Sequence, residues 1–207
     1  MSGKLLRNTL IPLISLLATL VLSSCGTSKD TRNKVLVSVR DQKMLLLRDG
    51  KPVKAYRVST SKFGIGDRPG SNCTPLGHME VARKIGDRNP AGMVFKTRRP
   101  TGEVIKPNAP GRDPIVSRIL WLRGKDRQTS NAFGRCIYIH GTAEEWRLGT
   151  PASYGCIRMG SRDVIDLYGR LGEGAEVQVI RGSLSSSQSG LSYVSLAAAK
   201  GSRAKGG

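Results

Sequence analysis

The segment CIYIHGTAEEWRLGTPASYGCIRMG, residues 136–160, decides the fold and the chemistry of this chain of 207 residues. Its beginning alternates as a strand does: Cys136, Tyr138 and His140 share one predicted face, and the two isoleucines between them share the other. The strand predicted over Cys136–His140 therefore carries a histidine at its end. A cysteine preceded by a glycine, Gly155-Cys156, follows later in the same segment.

These residue types fit cysteine-based acyl transfer. A thiolate is the reactive form of cysteine, and an imidazole such as that of His140 can accept the proton of Cys156. Gly155 lets a substrate approach the backbone closely, and N–H groups there can stabilise an oxyanion. Arg158 can bind a carboxylate through two hydrogen bonds. The residue types alone also fit a buried, inert Cys156 with a structural His140.

The spacing adds a family resemblance. His140-Gly141-Thr142, followed by Ser153-x-Gly-Cys-Ile-Arg-Met159, resembles the signature of L,D-transpeptidase (YkuD-type) catalytic domains. The stretches 58–60 and 74–77 resemble that family in the same order. The resemblance implies a mainly β domain, here residues 35–182. The predominance of predicted strands indicates an antiparallel β-sandwich or barrel-like fold with one or two short helices.

The resemblance also implies a reaction on peptidoglycan. Cys156 is the nucleophile that forms a thioester with a tetrapeptide stem and releases D-Ala, and His140 is its base. Transfer to an amine gives a 3→3 cross-link, whereas transfer to water makes the protein an L,D-carboxypeptidase. No cofactor is implied. The residues expected to form the oxyanion hole or to bind substrate are Gly141, Thr142, Ser153, Tyr154, Gly155 and Arg158.

One position departs from the family pattern. Tyr154 stands where the family usually has histidine, directly before Gly155-Cys156. A tyrosine can donate one hydrogen bond but cannot carry a positive charge. The alternative interpretation is therefore a non-catalytic peptidoglycan-binding lipoprotein with a degenerate site.

The remaining cysteines and the second histidine have plainer interpretations. Cys73, His78, His140 and Cys156 lack the spacing of a zinc site, so we expect no metal. His78 is expected to be structural or to lie at the surface. Cys136 is expected to serve packing or a disulfide, for which Cys73 is one partner that the sequence leaves open.

The flanking segments predict short strands and a single helix. Asp49-Gly50 is a strong hairpin signal within an antiparallel meander. Ser161 is a candidate N-cap of an amphipathic helix. The Pro-rich segment 83–118 excludes a long helix. The predicted strands are 35–39, 44–47, 53–59, 77–82, 119–122 and 176–180, with a hairpin of 93–96 and 103–105 around Pro100-Thr101-Gly102 and a helix over 161–171.

The two ends lie outside this domain. Residues 1–24 have a positive start and a short apolar run, as in a secretory signal peptide, and Leu22-Ser23-Ser24-Cys25 resembles the bacterial lipobox. We therefore expect lipidation at Cys25, a tether over residues 25–34, and a lipid-anchored protein on the periplasmic side, with the outer membrane favoured. The basic Ser/Gly/Ala-rich tail, residues 183–207, is expected to be disordered.

The chain is strongly basic, with a formal net charge of +19. Such a charge favours an anionic partner. Nucleic acid is not supported, because no Lys/Arg-rich block occurs and only 5% of the residues are aromatic. The carboxylates of peptidoglycan stem peptides fit the charge, and the lipid anchor gives the expected contact with a membrane.

Overall fold

The computed structural model describes residues 28–188, 190–192 and 195. The predicted signal peptide, the lipidation site at Cys25 and the end of the predicted tail lie outside those residues. Among the residues described, no helix has the length and apolar character needed to span a membrane.

Strands make up most of the regular structure. In chain order they are β1 (Asn33–Ser38), β2 (Lys43–Arg48), β3 (Lys51–Arg57), β4 (Gly77–Ile85), β5 (Met93–Lys96), β6 (Arg99–Val104), β7 (Ile115–Gly124), β8 (Tyr138–Thr142), β9 (Ile157–Met159) and β10 (Glu176–Ile180). The other described elements are one α-helix, α1 (Ser161–Arg170), and three short 3₁₀ turns, Arg127–Thr129, Glu145–Arg147 and Leu184–Ser186. Residues 188, 190–192 and 195 are helical as well.

In the described part of the chain, the strands form one mixed sheet. Its main path runs β3-β2-β1-β10-β4-β7-β5-β6, and β8 pairs with both β7 and β9. The mainly β class is confirmed, but the antiparallel arrangement is wrong for two pairs, because β1–β10 and β8–β9 are parallel. Parallel strands need a long connection, and the chain supplies one between the two members of each of these pairs.

The main core lies on one face of this sheet, where α1 covers β7 and β8. The helix buries Val164, Leu167 and Tyr168, as its apolar stripe predicts. Opposite them, Leu120 and Ile139 are fully buried on the two strands. Burial of each such side chain contributes about 1.5–3 kcal/mol, so this layer fixes β8 and, with it, the segment that carries the histidine.

The helix begins differently from the prediction. Gly160, rather than Ser161, is the N-cap residue, and it provides no side-chain hydrogen bond. The Glu145 carboxylate instead accepts a hydrogen bond from the Ser161 N–H at 2.7 Å. A residue from a distant turn thus satisfies a free N–H of the first helical turn, which a local sequence pattern cannot indicate.

The β5–β6 hairpin turns earlier than predicted. The turn lies at Thr97-Arg98, where both residues have positive φ, 49° and 66°. Pro100 and Gly102 belong to β6 itself. This position tolerates proline, because β6 ends the path of the sheet and its outer side needs no N–H donor.

The strand that carries His140 begins later than predicted. Cys136 has a left-handed backbone, with φ at 57°, and β8 starts at Tyr138. Cys136 therefore does not share a strand face with His140, as its place in the alternation had indicated. Tyr138 and His140 do share one face of β8, as predicted.

Both ends of the folded domain extend beyond the predicted limits of 35 and 182. Asp30 accepts hydrogen bonds from the N–H groups of Asn33 and Gly172, which anchors the end of the predicted tether. Leu184, in the predicted disordered tail, is buried against Leu36 and Leu45. The start of that tail is thus folded, because Leu184 covers an apolar patch on the second face of the sheet.

Candidate active site

The candidate residues meet on the face of the sheet opposite the main core. Ile139 and Ile157 are register partners on β8 and β9 and belong to the core. The alternation of side chains then directs Tyr138, His140 and Arg158 to the other face. Cys156 joins them there, since it packs beside Tyr138 in a separate apolar cluster.

The Cys156 thiol sits in a crowded environment. Its Sγ accepts a hydrogen bond from the Tyr138 N–H at 3.4 Å and donates one to the Cys136 carbonyl at 3.4 Å. Burial raises the pKa of the Cys156 thiol to about 11. The resting side chain is therefore a neutral thiol at physiological pH.

The His140 ring is buried and has a defined tautomer. Its Nδ1 lies 2.8 Å from the Gly141 carbonyl oxygen, which can only accept, so Nδ1 carries the proton and Nε2 has a free lone pair. Burial lowers the pKa of His140 to about 4. No hydrogen bond joins the ring to Cys156 in the described part of the chain. Along the backbone of β8, His140 lies two positions from Tyr138, whose N–H contacts the thiol. This backbone separation is roughly 7 Å.

Gly141 is required for the close packing beside this histidine. A Cβ at Gly141 would lie 2.5 Å from the Val116 carbonyl oxygen on β7. Since backbone atoms cannot yield as a side chain does, only glycine allows β7 and β8 to approach so closely here. The carbonyl that orients His140 is thereby held in place.

The turn before Cys156 is shaped by internal hydrogen bonds. Ser153 Oγ accepts from the Gly155 N–H at 3.2 Å and donates to the Cys156 carbonyl at 2.5 Å. Gly155 adopts φ of 117°, which other residues rarely adopt. The Cys156 N–H has no partner among the described residues, so it is the backbone donor available beside the thiol.

Tyr154 is the candidate side chain most open to solvent, with 56% of its surface exposed. Its hydroxyl accepts a hydrogen bond from Lys62 Nζ at 2.9 Å, and its ring lies 5.4 Å from the Phe63 ring. The Lys62 ammonium lowers the pKa of the Tyr154 phenol. Lys62 thus brings a positive charge to the position where Tyr154 itself carries none.

Arg158 is held in a cluster of acidic groups. Its Nη1 lies 2.8 Å from Asp113 Oδ2 and 3.5 Å from Glu144 Oε2. The Asp113 contact lacks hydrogen-bond alignment, but Asp113 Oδ1 accepts from the Thr142 hydroxyl and the Ala143 N–H. The guanidinium of Arg158 thus already has Asp113 and Glu144 as partners, and the Thr142 hydroxyl has Asp113. These contacts hold β8 and β9 to the loop at Asp113.

A second buried ion pair supports the opposite side of the site. The Arg135 and Asp67 side chains are 8% and 7% exposed and lie 3.0 Å apart. Arg135 also donates to the carbonyls of Gly66 and Cys73. The Cys73 carbonyl packs against Gly155, so this pair holds the loop on which the cysteine turn rests.

Sequence reasoning missed Asp113, Glu144, Asp67 and Arg135, since no motif marks them and their partners are distant along the chain.

Cys73 and Cys136 are both free thiols, so the disulfide left open by the sequence is absent. Among the described residues, no cluster of three or more potential metal ligands occurs. A cavity of about 460 Å³ lies between β2, β3, Ser183–Ser185 and Gly190, and Cys156 does not line it.

The other aromatic and histidine side chains lie apart from this chemistry. His78 is exposed and lies 2.8 Å from Glu176, as expected of a surface role. Trp121 stacks on Phe133 at 4.1 Å between ring centres and lines the apolar cluster beside the thiol. Trp146 is 70% exposed.

The depressed pKa of His140 predicts a loss of stability in mild acid. The unfolded chain binds a proton below pH of about 6.5, whereas the folded ring binds one only below about 4. Stability from this residue is therefore present above pH 6.5 and is lost as the pH falls toward 4, by about 3 kcal/mol. Urea unfolding of wild type and His140→Gln between pH 7.5 and 4 checks this. Parallel pH profiles of the two proteins would refute it.

A family model described as YkuD, L,D-transpeptidase catalytic domain, matches residues 32–179. No curated protein sequence matches the chain.

Solved structures of L,D-transpeptidases resemble the fold. The enzyme from Xylanimonas cellulosilytica is 19% identical over 75% of this chain and 63% of its own, with a TM-score of 0.47. The L,D-transpeptidase from Mycobacterium smegmatis is 15% identical over 72% and 58%, with a TM-score of 0.45. L,D-transpeptidase 3 from Mycobacterium tuberculosis, in complex with a faropenem-derived adduct, is 17% identical over 72% and 60%, with a TM-score of 0.46. The chain spans about three fifths of the length of these structures.

Proposed function

Because the chain belongs to the family of L,D-transpeptidase (YkuD) catalytic domains, we propose that it transfers the acyl group of a peptidoglycan stem through a thioester on Cys156. The observation that carries the proposal is the shared face of β8 and β9. On it, a thiol adjoins a free backbone N–H and a histidine with an unprotonated Nε2 lies nearby.

The resting pair is neutral, and this determines how the reaction starts. With the pKa of Cys156 raised and that of His140 lowered, a thiolate–imidazolium pair is not the ground state. The thiol proton therefore moves to His140 Nε2 as the sulfur attacks the stem carbonyl. The Gly141 carbonyl, bonded to Nδ1, keeps the ring in the accepting tautomer and stabilises the imidazolium that forms.

The remaining steps follow from the atoms present. Sulfur forms a bond to the carbonyl carbon, and the developing oxyanion accepts a hydrogen bond from the Cys156 N–H. The bond from carbon to the D-Ala nitrogen breaks, and the imidazolium returns its proton to that nitrogen. An amine of a second stem, or water, then attacks the thioester carbonyl as its proton moves to His140. The carbon–sulfur bond breaks, and the imidazolium returns that proton to the sulfur, which restores the Cys156 thiol.

The reaction requires a movement beyond the described geometry. His140 and the thiol are not hydrogen-bonded to each other, and catalytic hydrogen bonds often tighten only when substrate is bound. A rotation of the thiol away from the Cys136 carbonyl frees it for the imidazole. Tyr154 and Lys62 lie at the exposed rim, where their hydroxyl and ammonium groups suit a peptide with carboxylates.

A β-lactam adduct tests this proposal. Faropenem incubated with folded wild-type protein is expected to add its mass to Cys156, with the adduct assigned by peptide mapping. Cys156→Ala is expected to remain unmodified, and its intact Cys73 and Cys136 serve as internal controls for non-specific reaction. If folded wild-type protein stays unmodified, or if the variant forms the adduct in equal yield, Cys156 is not the nucleophile.

A second candidate function is peptidoglycan binding without catalysis. The missing hydrogen bond between His140 and Cys156, together with the raised pKa of the thiol, favours it. This function predicts sacculus binding that persists in Cys156→Ala, with no D-Ala released by wild type. Release of D-Ala that depends on Cys156 excludes it.

We also propose export and lipid anchoring at Cys25, on the sequence pattern of residues 1–25. The net charge of +19 then serves attraction to the carboxylates of peptide stems. Labelled palmitate that enters wild type but not Cys25→Ala would support the anchor. Equal labelling of both proteins would refute it.

A further inference from the structure

The guanidinium of Arg98, at the turn of the β5–β6 hairpin, lies beside the residues that contact the thiol. Its Nη1 is 3.1 Å from the Tyr138 hydroxyl and 3.6 Å from Cys136 Sγ. Its Cζ is 4.7 Å from the centre of the Trp121 ring. The backbones of Tyr138 and Cys136 are the same groups that contact Cys156 Sγ. Arg98 therefore contacts the thiol's two neighbours, Tyr138 and Cys136, rather than the thiol itself.

The charge of Arg98 is unbalanced, unlike those of the other arginines at the site. Arg135 and Arg158 each contact a nearly buried carboxylate, Asp67 and Asp113 respectively. Arg98 has no carboxylate within 4 Å among the described residues, and its hydrogen bonds to them use Nη1 alone. The other N–H donors of the guanidinium are thus available, in the planar geometry that suits a carboxylate.

The backbone holds this arginine in position. Thr97 and Arg98 both adopt positive φ, a conformation that non-glycine residues rarely adopt in succession. The strand before them is anchored, because Phe95 pairs with Ile115 of β7 and packs in the apolar cluster that contains Tyr138. The hairpin is thus attached to the same cluster as Cys156, which fixes the position of its turn relative to the thiol.

We propose that Arg98 is a specificity-determining residue that binds a carboxylate of the donor stem next to the bond being broken. The inference rests on the proposed function, since it assigns a ligand group within the same site. Two groups of this chemistry lie near that bond. One is the carboxylate of the departing D-Ala, and the other is the side-chain carboxylate of a diamino acid that carries one.

Binding of matched peptides tests the role without requiring catalysis. Three tetrapeptide stems are used: one with both carboxylates free, one amidated at D-Ala and one amidated at the diamino acid. Their affinities for Cys156→Ala are measured by calorimetry, with Arg98 intact and as Arg98→Gln. Loss of a hydrogen bond to a charged group costs about 1.5–3 kcal/mol, so we expect Arg98→Gln to weaken binding of the free peptide about 10- to 100-fold.

The pattern across peptides separates recognition from a structural effect. With Arg98 intact, amidation of the recognised carboxylate is expected to weaken binding by the same factor, and in Arg98→Gln it should have no effect. Arg98→Lys should retain part of the preference, because it keeps the charge. Arg99→Gln, the adjacent exposed arginine on β6, is the matched control and should bind as the parent does.

Two results would overturn the inference: equal sensitivity to amidation in both proteins, or no measurable binding with Arg98 intact. D-Ala release by protein that retains Cys156 is measured alongside. Its absence would refute the proposed acyl transfer, whereas the peptide affinities decide the role of Arg98 separately.

Discussion

Replacement of His140 by Gln is expected to slow acylation of Cys156 about 10²- to 10⁴-fold, the range typical of a lost general base. A Gln side chain can still donate a hydrogen bond to the Gly141 carbonyl, so the local packing is largely kept. It cannot accept the thiol proton. Because Cys156 is a neutral thiol at rest, the attack then lacks an acceptor for that proton. The rate of faropenem adduct formation, followed by intact mass, measures the effect.

The second histidine of the chain provides a matched control. His78 is exposed on β4 and contacts Glu176, away from the thiol. His78→Gln makes the same chemical change and should acylate at the wild-type rate. Acylation of His140→Gln at the wild-type rate, in protein with a normal thermal unfolding transition, would exclude His140 as the base.

Replacement of Asp67 by Ala is expected to destabilise the fold by about 3–5 kcal/mol, because it leaves Arg135 buried without its partner charge. Asp67 also accepts a hydrogen bond from the Asn131 N–H at 2.6 Å, so the loop that supports Gly155 loses two attachments. The free energy of unfolding in urea measures the loss. A fall in acylation rate should accompany it, since the cysteine turn rests on this loop.

Arg68→Ala is the control for this substitution. Arg68 is exposed, directly follows Asp67 and makes no ion pair among the described residues. Its replacement should change the stability by less than about 0.5 kcal/mol. Equal unfolding free energies for Asp67→Ala and wild type would show that the buried pair does not stabilise the loop.

Local patterns in the sequence predicted much of the fold. The β-prone, apolar residues around Val35 and Leu46, with Asp49-Gly50 between strands, predicted the meander of β1, β2 and β3. Strand β10 has the predicted bounds, Glu176–Ile180. These elements follow from β-propensity and turn chemistry, which act over a few residues.

Other features depend on contacts between distant segments. Because Cys136 has a left-handed backbone conformation, β8 begins later than predicted. Nothing in the residue type of Cys136 requires a positive φ. The partnerships of Arg158 with Asp113 and of Arg135 with Asp67 join residues far apart in the sequence. Arg98 lies in a Pro-rich segment without a motif. Its position beside the thiol follows only from the pairing of β5 with β7.

Muropeptide analysis of purified sacculi tests the central claim most directly. Sacculi are incubated with wild-type protein or with Cys156→Ala, digested, and analysed by liquid chromatography and mass spectrometry. Wild type is expected to consume tetrapeptide stems and release D-Ala, giving 3→3 cross-linked dimers or tripeptide stems, while the variant leaves the profile unchanged. Identical muropeptide profiles after treatment with the two folded proteins would contradict acyl transfer through Cys156.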